Sequence, residues 1–182
     1  MSTPAPAHAS SGPTAGLATT AVFKVYIRST PEAIWQAITD PEWTVKYGYG
    51  GYVSYDQRPG GAYSTKADET MLAASKQMGF DLPDPILDGE VLECDPPKLL
   101  KQSWRMLMDP ASAAEGFTTL TWAIDQLSGG YCALTVTHEC PTHPSVLAMV
   151  TGSNDAPPDQ GGGGWPWILS DLKSLLETGS RM

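Results

Sequence analysis

The residue best suited to acid–base chemistry is His138, at the end of an apolar strand pattern. An imidazole titrates near neutral pH, so His138 is our candidate catalytic base. A histidine at a strand end is also typical of a core residue with both ring nitrogens satisfied. Asp88 and Glu90 share one strand face and would place an acid opposite His138 if they faced inward. Two acids without a cation usually face water, so the sequence leaves both interpretations open.

Motifs for nucleophilic, phosphate-binding or metal chemistry are missing from the sequence. It has no Gly-x-Ser-x-Gly string, and the four glycines at 161–164 follow a proline-rich loop instead of a strand. His138, Glu139, Cys140 and His143 invite a metal interpretation. Neighbours on a strand point to opposite faces, however, and the sequence has no second ligand pair. We therefore expect no metal and no cofactor.

Tryptophan is the more distinctive feature of the chain. There are six tryptophans and three phenylalanines, and each indole offers a large flat wall with one hydrogen-bond donor. Any single tryptophan fits an ordinary core, but their number favours an apolar pocket for a small hydrophobic, planar or lipid-like ligand. The predicted lining consists of Trp104, Trp122, His138, Trp165, Leu169 and Leu172.

The strands that would carry these side chains alternate apolar and polar residues. In 98–108, Trp104 falls on the apolar face and Arg105 on the opposite face, which we assign to solvent. Antiparallel strands with one apolar face need a cover on that face. The predicted strands are 21–28, 52–55, 62–65, 86–94, 98–108, 118–124 and 131–139.

The last stretch, 161–179, predicts the helix that covers the sheet. Its apolar residues recur every three or four positions, while Asp171 falls on the side that we expect to face solvent. Gly179 suits a left-handed cap at the C-terminal end. The four consecutive glycines before the helix predict a flexible hinge.

A single domain at 21–182 is expected, preceded by a tail at 1–20 that lacks large apolar residues and is predicted to be disordered. Two short helices should follow the first strand, because Ser29-Thr30-Pro31 is a typical helix start. Residues 66–85 are interpreted as an insertion packed over the domain. Residues 140–164 are predicted to form a lid loop over the pocket.

The overall composition restricts the possible partners. A formal net charge of −9 argues against nucleic acid, which binds clusters of lysine and arginine. No segment approaches the length of a membrane span, and the N-terminus lacks the features of a secretory signal. Three cysteines without paired spacing favour the cytoplasm. The sequence leaves the oligomeric state open.

Five strings in order resemble the SRPBCC (START, helix-grip) superfamily, and within it the heat-shock-protein ATPase activator homologue group. They are TPEAIWQAITDPEW, PGGAY, GEVLECDPPKLLKQSW, LTVTHE, and GGW followed by LKSLLETG, within residues 21–180. The resemblance implies an α+β helix-grip fold, in which a curved antiparallel sheet wraps around a long C-terminal helix with a cavity between them.

Three functions follow from these observations. The leading hypothesis is a soluble, non-catalytic protein that binds a small hydrophobic molecule between the sheet and the last helix. The second is a polyketide cyclase or dehydratase that uses the same cavity with His138 as base, because the superfamily includes such enzymes. The third is an interaction protein that activates a chaperone ATPase, as the name of the homologue group implies.

Overall fold

The computed structural model describes residues 19–153 and 155–182, in which seven antiparallel strands form one sheet in the order β1-β7-β6-β5-β4-β3-β2. The strands are β1 Thr20–Ile27, β2 Tyr52–Tyr55, β3 Ala62–Lys66, β4 Leu87–Asp95, β5 Leu99–Met106, β6 Thr118–Gln126 and β7 Cys132–Glu139. The helices are α1 Pro31–Thr39, α2 Pro41–Thr44, α3 Glu69–Gln77, α4 Pro110–Glu115, α5 Pro144–Thr151 and α6 Gly164–Thr178. The predicted α+β helix-grip fold, with two short helices after the first strand, is confirmed.

Helix α1 begins where the sequence predicts. The Thr30 hydroxyl accepts a hydrogen bond from the Ala33 amide at 3.2 Å, and Pro31 occupies the first turn. Ile34 and Trp35 are buried on the side that packs on the core. The helix is therefore held both by its cap and by an apolar face.

The inner face of the sheet is set by strand register. Leu100 on β5 lies opposite Trp122 on β6, and Trp122 lies opposite Val136 on β7. All three are buried in one hydrophobic cluster. Because side chains alternate along a strand, Gln102 falls on the same inner face as Leu100 and is completely buried.

Helix α6 covers this face with Trp165, Leu169 and Leu172, as predicted, and it ends in a left-handed Gly179. The solvent assignment of Asp171 is wrong, since Asp171 is 1% exposed. Its Oδ2 accepts hydrogen bonds from the Gly48 amide at 2.8 Å and from Arg181 Nε at 3.1 Å. The helical pattern could not reveal these partners, because they come from a distant loop and from the chain end.

Three of the four glycines at the start of α6, Gly162, Gly163 and Gly164, are closely packed, so the flexible-hinge interpretation is not supported. A methyl group on Gly162 would lie 1.7 Å from the Ala156 carbonyl oxygen, and one on Gly164 would lie 2.4 Å from that of Val150. Gly164 also has a φ of +54°, which side-chain-bearing residues rarely adopt. Only glycine lets these backbone segments approach so closely.

The two segments predicted as insertion and lid each contain a helix. Helix α3 lies within 66–85, and Ser75 is its one buried residue. Helix α5 lies within 140–164 and buries Val146 and Val150. The first 18 residues of the predicted tail lie outside the described residues, and β1 begins at Thr20, within the predicted tail range. In the described ranges, no helix is both long enough and apolar enough to cross a membrane.

Candidate functional site

The six residues predicted to line a pocket do come together on the sheet and on α6. The Trp122 and Trp165 rings meet edge to face with centroids 5.0 Å apart. The Trp104 and His138 rings are also 5.0 Å apart and nearly perpendicular. All six side chains belong to residues that are 7% exposed or less: Trp104, Trp122, His138, Trp165, Leu169 and Leu172. These rings pack directly against one another.

Two clefts lie elsewhere, at the surface, and contain none of these six residues. One, of about 410 Å³, lies at the start of α6 between Gly152, Gly163 and Trp167. The other, of about 420 Å³, lies on the outer side of the sheet beside Glu90 and Phe117. The candidate site is therefore defined by its side chains and their hydrogen bonding, and not by an open cleft.

His138 is held in a closed hydrogen-bond chain. Trp165 Nε1 donates to His138 Nδ1 at 3.1 Å. His138 Nε2 lies 2.7 Å from the Thr118 hydroxyl, which donates to the Trp104 carbonyl at 2.9 Å. Since an indole nitrogen can only donate and the Thr118 proton is already used, His138 must be neutral with its proton on Nε2. Both ring nitrogens are therefore satisfied.

Burial reinforces the neutral state of His138. Removal from water, together with a smaller effect of the nearby His143, lowers its pKa from 6.5 to about 3. A base needs a free nitrogen and a pKa near the working pH. His138 offers neither in this arrangement, so the geometry supports the interpretation of a satisfied core histidine. Its catalytic role stays a prediction.

Asp88 and Glu90 lie away from His138. Asp88 accepts two hydrogen bonds from Arg105, at 3.0 and 2.6 Å, on the outer side of the sheet. Arg105 in turn lies over the Phe117 ring at 4.3 Å. Glu90 is exposed. The assignment of Arg105 to the outer face agrees with the structure, and neither acid reaches the inner face.

Gln102 is a polar residue of the inner face that the sequence reasoning missed. The Tyr55 hydroxyl donates to its Oε1 at 2.7 Å, and the Tyr55 ring stacks on Tyr63 at 4.7 Å. Its Nε2 is buried and makes no hydrogen bond of good geometry among the described residues, although it lies close enough to the Tyr63 hydroxyl to lower the pKa of that phenol. A glutamine in the apolar register of an otherwise alternating strand was the available signal.

Trp122 also has a buried donor nitrogen that makes no hydrogen bond. Its Nε1 is buried without an acceptor among the described residues. Leu100 faces Trp122, and Gln102 faces Leu120, so Gln102 and Trp122 are diagonal neighbours on adjacent strands. Such positions are about 7–8 Å apart. The two residues with unsatisfied donors therefore occupy neighbouring positions on the inner face. A third, Trp167 Nε1, lies apart, next to the surface cleft at the start of α6.

The inner face around these donors carries no charge in the described residues. The buried polar residues include no lysine or arginine. Burial raises the pKa of Tyr63 to about 12, with Thr65, Gln102 and Trp104 partly opposing that rise. Burial also raises the pKa of Tyr55 well above its ordinary value. The phenols stay protonated, and the described chain offers no cluster of three metal-ligating residues.

A family model described as "Activator of Hsp90 ATPase homolog 1-like protein" matches residues 28–177. The comparison with curated protein sequences gives no match.

Several solved structures are similar in fold. CalU16 from Micromonospora echinospora is 17% identical, with a TM-score of 0.59 over 90% of this chain and 76% of its own. PFC0360w, an HSP90 activator from Plasmodium falciparum, is 14% identical, with a TM-score of 0.59 over 87% of this chain and 96% of its own. CV1439 from Chromobacterium violaceum is 24% identical, with a TM-score of 0.59 over 87% and 97%. At these identities, the likeness shows the fold alone.

Proposed function

The chain belongs to the Activator of Hsp90 ATPase homolog 1-like family, and from that premise we propose that it binds a small hydrophobic molecule between the sheet and α6. The observation that carries this proposal is the pair of unsatisfied donors, Gln102 Nε2 and Trp122 Nε1, on a buried aromatic face. The proposed lining keeps the predicted residues of the sheet and helix and adds Gln102.

Unsatisfied buried donors are unusual enough to need a cause. More than about 90% of buried polar groups in proteins have a hydrogen-bond partner. A buried donor without one costs about 1–3 kcal/mol. Two such donors on adjacent strands, in a chain that satisfies His138 and Asp171 completely, fit a surface that is completed by a bound molecule.

Binding requires side chains to move. The Trp122 and Trp165 rings are in direct contact, so a ligand that reaches Trp122 Nε1 has to displace at least one ring. Tryptophan emission depends on the surroundings of the indole, which makes the displacement measurable. The predicted lid, 140–164, lies next to α6 through α5, and its opening stays a prediction.

The test combines two measurements on the purified protein. Native mass spectrometry should show a retained small molecule whose mass is lost on denaturation. Tryptophan fluorescence should change saturably with members of a panel of hydrophobic small molecules. Trp122→Phe should weaken that response, while Gln77→Leu, an exposed change on α3, should leave it unaltered. No retained mass and no saturable response across the panel would contradict the proposal.

The enzymatic alternative depends on His138 as a base. Because both of its nitrogens are bonded, catalysis would first require the Trp165 or Thr118 hydrogen bond to break. Full turnover of an identified substrate by a His138→Ala variant would remove this alternative.

Activation of a chaperone ATPase is the remaining alternative. The HSP90 activator from Plasmodium falciparum shares the fold with this chain. Stimulated ATP hydrolysis by a purified chaperone, or its absence, would decide this question. A cytoplasmic location stays a prediction, supported by three cysteines that are all free.

A further inference from the structure

We infer that the outward edge of β1 pairs with β1 of a second copy of the chain, antiparallel and centred on Val22, so that the two sheets become continuous. This inference is independent of the proposed function, because β1 lies at the end of the sheet and carries none of the proposed lining residues. It is drawn from the backbone groups that β1 leaves unpaired and from the contacts that close one end of its edge.

The direction of the backbone groups along β1 follows from its pairing with β7. The Cys140 amide donates to the Thr19 carbonyl at 2.6 Å, and the β1–β7 register continues this pair along both strands. In an antiparallel ladder, alternate residues bond to one neighbour and the residues between them point the opposite way. Thr20, Val22 and Lys24 therefore direct their amides and carbonyls away from β7.

Helix α6 closes the C-terminal end of this edge. Lys173 Nζ donates to the Tyr26 carbonyl at 2.7 Å, and Glu177 accepts from the Arg28 amide at 2.7 Å. Both bonds lie on the side away from β7, in agreement with the alternation. The free stretch that remains is 20–24, in which the outward amides and carbonyls have no partner among the described residues.

The opposite edge of the sheet, β2, is partly covered. The Thr44 hydroxyl of α2 donates to the Gly51 carbonyl at 2.9 Å and accepts from the Val53 amide at 3.3 Å. Proteins commonly cover sheet edges, because unpaired strands associate with other strands. The free stretch of β1 is therefore the part of the sheet that is available for pairing.

The free stretch is symmetric about Val22, which suits a second copy related by a two-fold axis. In that register, Val22 lies opposite Val22 of the second copy, and Thr20 lies opposite Lys24. Hydrogen-bonded residues of an antiparallel pair exchange both of their N–H···O bonds, so every outward amide and carbonyl within 20–24 gains a partner. The Tyr26 carbonyl, which Lys173 already occupies, is not needed.

The side chains fit the same register. Val22 is 61% exposed and would be covered by its counterpart. A lysine on an edge strand disfavours most pairings. Here the exposed Lys24 would lie beside a threonine, whereas a register centred on Lys24 would place two like charges opposite each other.

Cysteine crosslinking of the full chain tests the register. Residues of a hydrogen-bonded pair have Cα atoms about 5.5 Å apart, which is within the range for a disulfide. Val22→Cys should therefore form a disulfide-linked dimer under mild oxidation, at about ten times the level of the wild-type protein with its native cysteines. Lys24→Cys is the matched control, because its counterpart would lie about 14 Å away along the strand. It should crosslink no more than the wild type.

Association of the unlinked protein gives an independent test. Sedimentation equilibrium over about 10–500 μM protein should show a monomer–dimer equilibrium. Val22→Pro removes the central amide hydrogen, which does not bond to β7, so it should weaken dimerisation at least about tenfold while far-UV circular dichroism stays unchanged. Val22→Thr keeps this hydrogen and should dimerise like the wild type.

Three results would overturn the inference. A monomeric mass over the whole range would leave the edge to a strand of a different protein. Equal crosslinking of Val22→Cys and Lys24→Cys would contradict the register. A dimer that Val22→Pro leaves unchanged would place the contact elsewhere on the molecule. None of these results bears on ligand binding, which fluorescence measures separately.

Discussion

Trp165 and Trp122 lie edge to face in the same core, yet their indole nitrogens have different surroundings. Trp165 Nε1 donates to His138, and the chain of bonds continues through Thr118 to a backbone carbonyl. Trp122 Nε1 has no acceptor among the described residues. The comparison separates a region completed by its own residues from one that leaves donors for another molecule.

The completed region extends along α6. Asp171 is buried and accepts hydrogen bonds from Gly48, Arg181 and Met182. Gly162 is packed against Ala156, and Gly164 is packed against Val150. We interpret this part of the molecule as scaffold. The open region consists of Gln102 and Trp122 with the stacked tyrosines beside them.

The largest effect is expected in the scaffold, at Asp171. Asp171→Ala would leave the Gly48 and Met182 amides without their acceptor and Arg181 without its partner. Removal of one partner from a buried ion pair costs about 3–5 kcal/mol, and the partial exposure of Arg181 places the expected loss at about 3 kcal/mol. Urea unfolding measures it. Ser170→Ala, at an exposed neighbouring position, should change stability by less than about 0.5 kcal/mol. A similar change in the free energy of unfolding of both variants would mean that the hydrogen bonds of Asp171 do not stabilise the fold.

Gly162→Ala tests whether the glycines are packed or form a hinge. The added methyl group would lie 1.7 Å from the Ala156 carbonyl oxygen, so the backbone must shift. We expect a loss of about 2 kcal/mol in the free energy of unfolding. Gly161→Ala has open space and a φ of +96°, so backbone strain alone should cost about 1 kcal/mol. Equal losses of unfolding free energy in Gly162→Ala and Gly161→Ala would favour a flexible hinge at these glycines.

The pH dependence of stability should show an effect that is smaller per pH unit but accumulates as the pH falls. The folded state binds a proton at His138 with a pKa of about 3, whereas the unfolded chain binds it near 6.5. Stability from this residue is therefore present above pH 6.5 and is lost as the pH falls toward 3. The wild-type protein should lose about 1 kcal/mol per pH unit more than His138→Gln over this range, as urea unfolding at several pH values would show. Parallel curves for the two proteins would mean that His138 is not buried as neutral imidazole.

The sequence was sufficient to predict the fold because its signals are local and repeated. Alternation along β5 to β7 and the stripe of α6 identify the inner face and its cover. The convergence of Trp104, Trp122, His138 and Trp165 follows from these patterns together with the antiparallel pairing.

What the sequence could not provide depends on contacts between distant segments. Asp171 has the spacing of a solvent residue, and its burial follows from Gly48 and the chain end. The packing of the glycines depends on the backbone around Ala156. Gln102 stood in the apolar register of β5, but only the position of Tyr55 shows that its oxygen is bonded while its nitrogen is not.

The most direct test compares Trp165→Phe with Trp122→Phe, because the two substitutions remove the same volume and the same donor from the two regions. The free energy of unfolding in urea should be measured for each variant with and without the tightest-binding member of the hydrophobic panel. Trp165→Phe breaks the bond to His138, so it should be less stable than Trp122→Phe by about 1–2 kcal/mol. Trp165→Phe keeps an aromatic ring in the lining and keeps the Trp122 donor, so it should retain most of the stabilisation by that compound. Trp122→Phe should be the more stable variant and should lose most of the stabilisation. Equal stabilisation of both variants by the compound, or a greater loss of stability in Trp122→Phe, would contradict the distinction between the satisfied and the unsatisfied indole.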